Sequence, residues 1–183
     1  MFVLINGSFG IGKSTLAELL VQILPAAAIS DPERIGYVLR RLPPWMLGRT
    51  EQPPDYQDLA QWRTLIGIAG RLAHRGRRTV IIPMAFTNLD YLEGFARTLA
   101  KTAPVERFCL VAPIEVIRER LVSRAAGEGR KHLTEFEQRR SLECAMVHGT
   151  SPAYGLPLDA CRKPEIIAEE IKARLARARA TSA

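Results

Sequence analysis

The chain has 183 residues, of which 47% are hydrophobic and 25% charged, and 26 Lys and Arg against 19 Asp and Glu give it a net charge of +7. These values are typical of a globular protein, and we expect one domain over residues 1–183 rather than a disordered or low-complexity chain. No apolar run approaches the ~20 residues that a membrane-spanning helix needs. The positive charge favours anionic ligands such as phosphorylated molecules.

The cysteines and the N-terminus both bear on the cellular compartment. Cys109, Cys144 and Cys161 lie far apart, and an odd number without paired spacing argues against a disulfide framework or a zinc site. Cys109 falls within an apolar run, so we expect it to be buried. The opening "MFVLINGSFG" has no basic residue ahead of its apolar part, which is not the pattern of a secretory signal. We therefore expect a cytoplasmic protein.

Apolar runs and amphipathic segments alternate along the chain. In order, the patterns predict strand 2–5, helix 13–24, strand 26–30, helix 32–42, helix 56–75, strand 78–86, helix 88–100, strand 105–113, helix 113–124, helix 134–148, strand 155–160 and helix 164–178. Thr134 and Glu137 have the spacing of a capping box. The alternation predicts an α/β fold with a parallel sheet and helices on both faces, and ligands of such sheets bind beyond the carboxyl ends of the strands.

The segment "GSFGIGKS" at 7–14 fits the pattern G-x-x-x-x-G-K-[ST] between the first strand and the first helix. Its glycines let the backbone wrap around an anion, and the helix N-terminus adds positive potential. Lys13 is predicted to reach the β- and γ-phosphates of ATP, and Ser14 to bind Mg²⁺. A Gly-rich turn without a ligand is the alternative, and the flanking strand and helix argue against it. The predicted nucleotide-binding residues are Gly7, Ser8, Phe9, Gly10, Ile11, Gly12, Lys13, Ser14 and Thr15.

Two classes of nucleotide-binding protein lack support elsewhere in the chain. A GTPase needs a D-x-x-G segment and an N-K-x-D motif, and neither is present. A motor ATPase needs an apolar strand that ends in acidic residues, whereas strand 78–86 ends without one. A group-transfer enzyme therefore remains.

Arg120 and Arg124 lie four residues apart on a predicted helix, so their side chains are neighbours. Such a like-charge pair is unfavourable unless an anion lies beside it, although nearby glutamates on a solvated helix face are an alternative partner. A polar, Gly-bearing loop follows, and we predict a lid at about 124–133 that excludes water during phosphoryl transfer.

These motifs resemble those of the small P-loop kinases related to nucleoside-monophosphate, shikimate and antibiotic kinases. The shared features are G-x-x-G-x-G-K-S at 7–14, R-L-x-x-R at 120–124 and five strand–helix units over nearly the whole chain. Within this group, "INGSFGIGKST" at 5–15 and "SDPERIGYVLR" at 30–40 resemble the tunicamycin-resistance family of ATP-binding proteins.

The resemblance implies a three-layer P-loop fold with a five-stranded parallel sheet in the order 2-3-1-4-5. It also implies ATP with Mg²⁺ and protection of a cell from tunicamycin or a similar nucleoside antibiotic. By analogy with the kinases, the γ-phosphoryl group would pass to a hydroxyl of the drug, with Lys13, Arg120 and Arg124 catalytic and the two arginines also binding ATP. ATP-dependent sequestration of the drug without chemistry, and a housekeeping nucleotide or sugar kinase, are the alternatives.

Asp31 is the acidic candidate for the site, because the third strand ends in residues without a carboxylate. It would act as general base or contact Mg²⁺. Its position before Pro32 fits a helix N-cap equally well.

The acceptor is expected to bind within residues 31–75, a region that contains an irregular Pro-rich segment and both tryptophans of the chain. Aromatic rings stack on bases, and arginines bind phosphate or sugar oxygens. For each tryptophan alone, a place in the core or at a hinge is the alternative. The predicted substrate-binding residues are Asp31, Arg34, Trp45, Trp62 and Arg63.

The last predicted helix, 164–178, is basic and amphipathic. It is expected to pack on the sheet, and weak association with an anionic membrane surface is the alternative. Nucleic-acid binding is not expected, because the basic residues are scattered and no recognition motif accompanies them. The expected partner is thus a small nucleoside-type substrate, and nothing in the sequence decides the oligomeric state.

Overall fold

The computed structural model describes residues 1–51, 55–75, 79–149 and 151–181. Its strands form one parallel sheet in the order 2-3-1-4-5, as the resemblance implied. The strands are β1 (Phe2–Gly7), β2 (Ala27–Ile29), β3 (Thr79–Pro83), β4 (Val105–Val111) and β5 (Leu156–Asp159).

Helices connect these strands and cover both faces of the sheet. They are α1 (Lys13–Ile23), α2 (Pro32–Arg40), α3 (Ala60–Ala73), α4 (Leu89–Ala100), α5 (Ile114–Gly127), α6 (Glu135–His148) and α7 (Pro164–Thr181). Short 3₁₀ turns lie at Pro44–Leu47, Tyr56–Asp58 and Pro152–Tyr154.

The central strand β1 divides the core in two, because successive side chains of a strand point to opposite faces. Phe2 and Leu4 belong to a cluster that contains buried residues of α3 and α4. Val3 and Ile5 belong to a second cluster with α1, α5 and α7. The fold is therefore the predicted three-layer arrangement, with the carboxyl ends of the strands left at one edge.

Two of the helix boundaries that differ from the sequence-based prediction lie near the predicted site. The helix predicted from residue 56 begins at Ala60, because the Asp55 side chain accepts a hydrogen bond from the Gln57 amide and caps a separate 3₁₀ turn. Extended backbone at Leu59 then interrupts the helix. In addition, α5 continues past residue 124 to Gly127, so the predicted lid begins within a helix. Residue 78 of the predicted third strand and the second Pro-Pro pair, at 53–54, lie outside the described residues.

Other local predictions are confirmed. Thr134 and Glu137 form a capping box at the start of α6. Cys109 is buried, and so is Cys144. On α7 the apolar stripe packs into the core, with Ile171 fully buried. No helix in the described ranges is both long and apolar enough to cross a bilayer.

His148, at the end of α6, is buried against the strand ends. Its Nε2 atom lies 2.7 Å from the Phe86 carbonyl oxygen, to which Asn6 also donates from its side-chain amide. The Phe86 amide in turn donates to the Asn6 side-chain oxygen. Burial, reinforced by the positive charges of Lys13 and Arg140, lowers the pKa of His148 to about 4.

This shift makes the stability of the fold sensitive to mild acid. Between pH 6.5 and 4 the unfolded chain binds the proton of His148 more readily than the folded chain does, so stability falls as the pH falls. From pH 7 to pH 5 we expect this group to remove about 2 kcal/mol from the free energy of unfolding. Urea unfolding of the native protein and His148→Gln at both pH values tests this. Equal losses in the two proteins would contradict it.

Candidate functional site

A cleft of about 450 Å³ opens beside the phosphate loop, where β1 and β3 end and α1 begins. Residues 9–15 of the loop and its helix line this cleft. Asp31, Arg120 and Arg124, which are distant in sequence, line it as well. The fold therefore brings most of the predicted nucleotide-binding residues to one cavity.

The backbone of the phosphate loop has the shape that anion binding requires. Gly10 and Gly12 have φ values of 74° and 106°, in the left-handed region that favours glycine. Gly12 precedes α1, and no side chain among the described residues caps this helix. The first backbone N–H groups of α1 are therefore available to an anion, and the helix dipole favours negative charge there. These features fit a nucleotide phosphate group.

The two glycines are expected to differ in their tolerance of alanine. A Cβ atom at Gly10 would lie 2.6 Å from Cγ of the buried Leu121, whereas one at Gly12 would have no neighbour within 4 Å. Both substitutions strain the backbone by about 1–2 kcal/mol, but only Gly10→Ala also overpacks the core, which costs about 1–3 kcal/mol more. Urea unfolding of both variants measures the difference. A Gly12→Ala variant as unstable as Gly10→Ala would contradict this expectation.

Lys13 is buried beneath the loop. Its ammonium group donates to the carbonyl oxygens of Gly7 and Ser8, at 3.0 and 2.7 Å. Burial lowers the pKa of Lys13, and the nearby carboxylate of Glu33 opposes that shift. The loop thus holds a poorly solvated cation at the edge of the cleft, where its field acts strongly on an anionic ligand.

Arg120 and Ser8 brace the loop from two sides. The Arg120 guanidinium donates to the carbonyl oxygen of Ile11 at 3.0 Å and to that of Ala160 at 2.8 Å. The buried Ser8 hydroxyl donates to the Ser141 carbonyl oxygen on α6 at 3.1 Å. Arg120 therefore fixes the loop to the segment after β5, and Ser8 anchors it to α6 through a side chain that does not line the cleft.

Two carboxylates lie at the cleft, and only one of them was predicted. The Asp31 side chain accepts a hydrogen bond from the Glu33 amide at 2.9 Å, so it caps α2. Glu33, in the first turn of α2, also lines the cleft. Burial raises the pKa of Glu33, with Asp31 and Asp55 adding to the effect and Lys13 opposing it. Ser14 and Asp31, which both line the cleft, offer oxygen donors of the kind that Mg²⁺ prefers.

An ion-pair network joins the end of α5 to the start of α6. Arg124 pairs with Glu128 at 3.0 Å, and Arg130 bridges Glu128 and Glu137 at 2.7 and 2.9 Å. The hydrogen bonds from Arg130, with others from Thr134, lower the pKa of Glu137 to about 2. The predicted lid at 124–133 thus includes Arg124, which lines the phosphate cleft and pairs with Glu128 of this network.

The predicted substrate-binding residues occupy different environments. Trp62 is a core residue, since its indole donates to the Pro32 carbonyl oxygen at 3.0 Å and its ring packs between Tyr56 and Phe86. This corrects the prediction that Trp62 contacts the substrate: it holds the start of α2, which carries Glu33.

The remaining candidates lie at or near the surface. Trp45 is 74% exposed, and Arg34 is exposed on α2. Neither of them lines the phosphate cleft. Arg63 donates to the Gln57 carbonyl oxygen at 2.6 Å and lies 4.2 Å from the centroid of the Tyr91 ring. Their contact with a substrate stays a prediction.

Comparison with known proteins agrees with this geometry. The model of a family described as an AAA domain matches residues 2–143. No curated protein sequence matches the chain. Among solved structures, the tunicamycin resistance protein of Deinococcus radiodurans is 25% identical, with a TM-score of 0.69 over 95% of this chain and 94% of that chain.

Two kinases share the fold at lower identity. A gluconokinase from Sinorhizobium meliloti is 18% identical, with a TM-score of 0.65 over 96% of this chain and 91% of its own. Shikimate kinase from Acinetobacter baumannii is 15% identical, with a TM-score of 0.60 over 96% of this chain and 93% of its own. These matches confirm the resemblance to P-loop kinases and to the tunicamycin resistance protein.

Proposed function

We propose that this chain, which belongs to the AAA domain family, transfers the γ-phosphoryl group of ATP to a hydroxyl of tunicamycin or a similar nucleoside antibiotic. The protein is P-loop kinase-like in fold, and its phosphate loop indicates nucleotide binding. The observation that carries the proposal is the presence of a buried cation, Lys13, and a half-buried carboxylate, Glu33, in one cleft.

ATP would supply the phosphoryl group, and a bound Mg²⁺ would neutralise part of the charge on its phosphates. Lys13 and the N–H groups of α1 stabilise the charge on the transferring group. Ser14 and Asp31 are suited to hold the metal ion, Asp31 through water. In the transfer, a bond forms between the acceptor oxygen and the γ-phosphorus while the bond to the β–γ bridging oxygen breaks, and ADP leaves with that electron pair.

Glu33 is the residue suited to accept the proton of the acceptor hydroxyl. Its pKa is raised by burial, which brings its basicity closer to neutral pH than that of an exposed glutamate. Asp31 has its carboxylate engaged as the cap of α2, and we therefore assign proton transfer to Glu33 rather than to Asp31.

The drug itself is the simplest probe of this proposal. The protein is incubated with ATP, Mg²⁺ and tunicamycin, and the drug is then analysed by mass spectrometry, with a non-hydrolysable ATP analogue as control. We expect the mass to rise by one phosphoryl group with ATP only. Tight, ATP-dependent binding of a drug of unchanged mass would instead support sequestration. Turnover of sugars or nucleotides with no response to the drug would support a housekeeping kinase.

A further inference from the structure

The segment that joins α5 to α6 begins with a well-defined turn. Helix α5 ends in a Schellman motif, in which the backbone N–H groups of Gly129 and Arg130 donate to carbonyl oxygens in the last turn of the helix. Gly129 has a φ value of 74°, the left-handed conformation that this motif requires. The Glu128 amide donates to the Arg124 carbonyl oxygen at 3.0 Å. The turn therefore fixes the backbone of Glu128 one helical turn after Arg124.

A chain of ion pairs connects this turn to α6. The Glu137 carboxylate is almost buried and forms the capping box with Thr134. Arg130 donates to both oxygens of that carboxylate, each at 2.9 Å. Arg130 also donates to Oε2 of Glu128, from its Nε atom at 3.0 Å and from a terminal nitrogen at 2.7 Å. One oxygen of Glu128 is thus tied to the start of α6.

The other oxygen of Glu128 binds Arg124 at a single atom. Oε1 of Glu128 accepts a hydrogen bond from Nε of Arg124 at 3.0 Å. Among the described residues, the two terminal nitrogens of Arg124 have no hydrogen-bond partner, and the nearest Glu137 oxygen is 3.9 Å from one of them. Arg124 also lines the phosphate cleft. A guanidinium binds phosphate most strongly through a pair of parallel N–H groups, and the terminal pair of Arg124 remains available for this.

A carboxylate beside an arginine has two opposite effects on phosphate binding. Its negative charge repels the phosphate, but Arg130 lies 2.7 Å from Glu128 and compensates that charge. The side chains of Arg124 and Glu128 are 54% and 46% exposed, so water screens the remaining repulsion. Its hydrogen bond holds the guanidinium in one orientation, which reduces the conformational entropy that the arginine loses when a ligand binds. Orientation is therefore the larger effect.

We propose that Glu128 is a positioning residue, which orients the Arg124 guanidinium towards the γ-phosphoryl group before the nucleotide binds. The proposal rests on the proposed function only in identifying the ligand as a nucleoside triphosphate. It differs from a lid that brings its arginine to the site by closing, because the ion-pair network already holds Arg124 at the cleft.

The contribution of the γ-phosphate to affinity tests this role without any transfer. Calorimetry on the full chain with Mg²⁺ gives the dissociation constants of ADP and of AMP-PNP, a triphosphate analogue that resists hydrolysis. The measured quantity is the ratio of the two constants, and the native protein is expected to bind AMP-PNP more tightly. Arg124→Ala is expected to remove most of this preference. Glu128→Ala is expected to lower it by about 2- to 10-fold, the effect of leaving one long side chain unordered.

Three further variants separate positioning from a structural role, with urea unfolding as the check that each is folded. Glu128→Gln keeps an oxygen that accepts the Nε hydrogen bond, so its ratio is expected to stay near the native value. Glu119→Ala is the matched control, because Glu119 is exposed on α5 and does not line the cleft. Adding Glu128→Ala to Arg124→Ala is expected to change nothing more, since Glu128 acts only through Arg124.

A ratio in Glu128→Ala that equals or exceeds the native ratio would overturn the proposal, and a higher ratio would make Glu128 a competitor of the phosphate. Equal affinity of the native protein for ADP and AMP-PNP, or the same loss from Glu128→Ala with and without Arg124, would also overturn it.

These outcomes are separable from the test of phosphoryl transfer, because no acceptor is present. The expected ratios together with a drug of unchanged mass would overturn the proposed function and leave the role of Glu128 standing. Transfer to the drug with a native ratio in Glu128→Ala would do the reverse.

Discussion

Replacement of Lys13 with alanine is expected to lower the rate of phosphoryl transfer by about 100- to 1,000-fold, the usual loss when one preorganised donor to a transferring group is removed. The Lys13 ammonium group is buried, and its Nζ atom is held by the carbonyl oxygens of Gly7 and Ser8. Its charge is therefore positioned before any ligand binds, in an environment where water screens it weakly. Alanine removes that charge and supplies no substitute.

The fold is expected to survive this substitution, because Arg120 still braces the loop at Ile11 and the glycines of the loop remain. Nucleotide affinity, measured by calorimetry, is expected to fall together with the transfer rate. The control is Lys172→Ala, which removes a half-exposed lysine that pairs with Glu169 on α7. Nucleotide affinity in Lys13→Ala equal to that of the control would remove the phosphate-loop assignment.

The phosphate loop was predictable from the sequence because its working parts are consecutive residues. A strand, a glycine-rich turn and the start of a helix follow one another within residues 2–15, and the structure has this local geometry. The sheet was predictable for a related reason: each buried parallel strand is a short apolar run between amphipathic helices. Neither prediction depends on which residues that are distant in sequence contact each other in the folded protein.

The errors arose where local hydrogen bonds or distant packing decide the outcome. Helix α3 begins four residues later than predicted because Asp55 caps a separate turn, a choice that helix periodicity does not reveal. The position of Trp62 depends on how α3 packs against α2 and on the Pro32 carbonyl oxygen, which accepts a hydrogen bond from the indole. An aromatic residue beside an irregular segment suits both a binding site and a core, and only the tertiary structure distinguishes them.

Glu33 was overlooked for a different reason. An acidic residue in the first turn of a helix is favoured by the helix dipole wherever it occurs, so its presence two residues after Asp31 carries little functional signal. What distinguishes Glu33 is its half-buried position at the phosphate cleft, near Lys13, and that position follows from the packing of α2 against α3 and the Tyr56–Asp58 turn. A search for Asp and Glu in the first turn of the helix that follows each predicted strand would have identified Glu33.

Replacement of Glu33 with glutamine is expected to lower kcat by about 100- to 10,000-fold, the range for loss of a general acid–base group. Glutamine keeps the size and polarity of the side chain but does not accept the proton of the acceptor hydroxyl. Affinities for nucleotide and acceptor are expected to change much less than kcat, because the proton moves only in the chemical step. Single-turnover rates and calorimetry on the same variant separate the two quantities.

The pH dependence gives an independent test of the same role. Because burial raises the pKa of Glu33, its basic form appears only at a pH above the usual range for a glutamate. The rate of the native protein is therefore expected to rise with pH along an acid limb displaced to higher pH. In Glu33→Gln that limb is expected to disappear from the residual rate. A limb that persists unchanged would assign the titration to another group.

Asp31→Asn is the matched substitution, since it removes the neighbouring charge by the same chemical change. Asparagine caps a helix about as well as aspartate does, so the stability of α2 is expected to be kept. If Asp31 contacts Mg²⁺, the concentration of Mg²⁺ needed for half-maximal rate rises while kcat at saturating Mg²⁺ is largely retained. The opposite pattern, with kcat lost in Asp31→Asn and kept in Glu33→Gln, would exchange the roles of the two carboxylates. The difference between these two variants thus decides which acid at the start of α2 takes the proton.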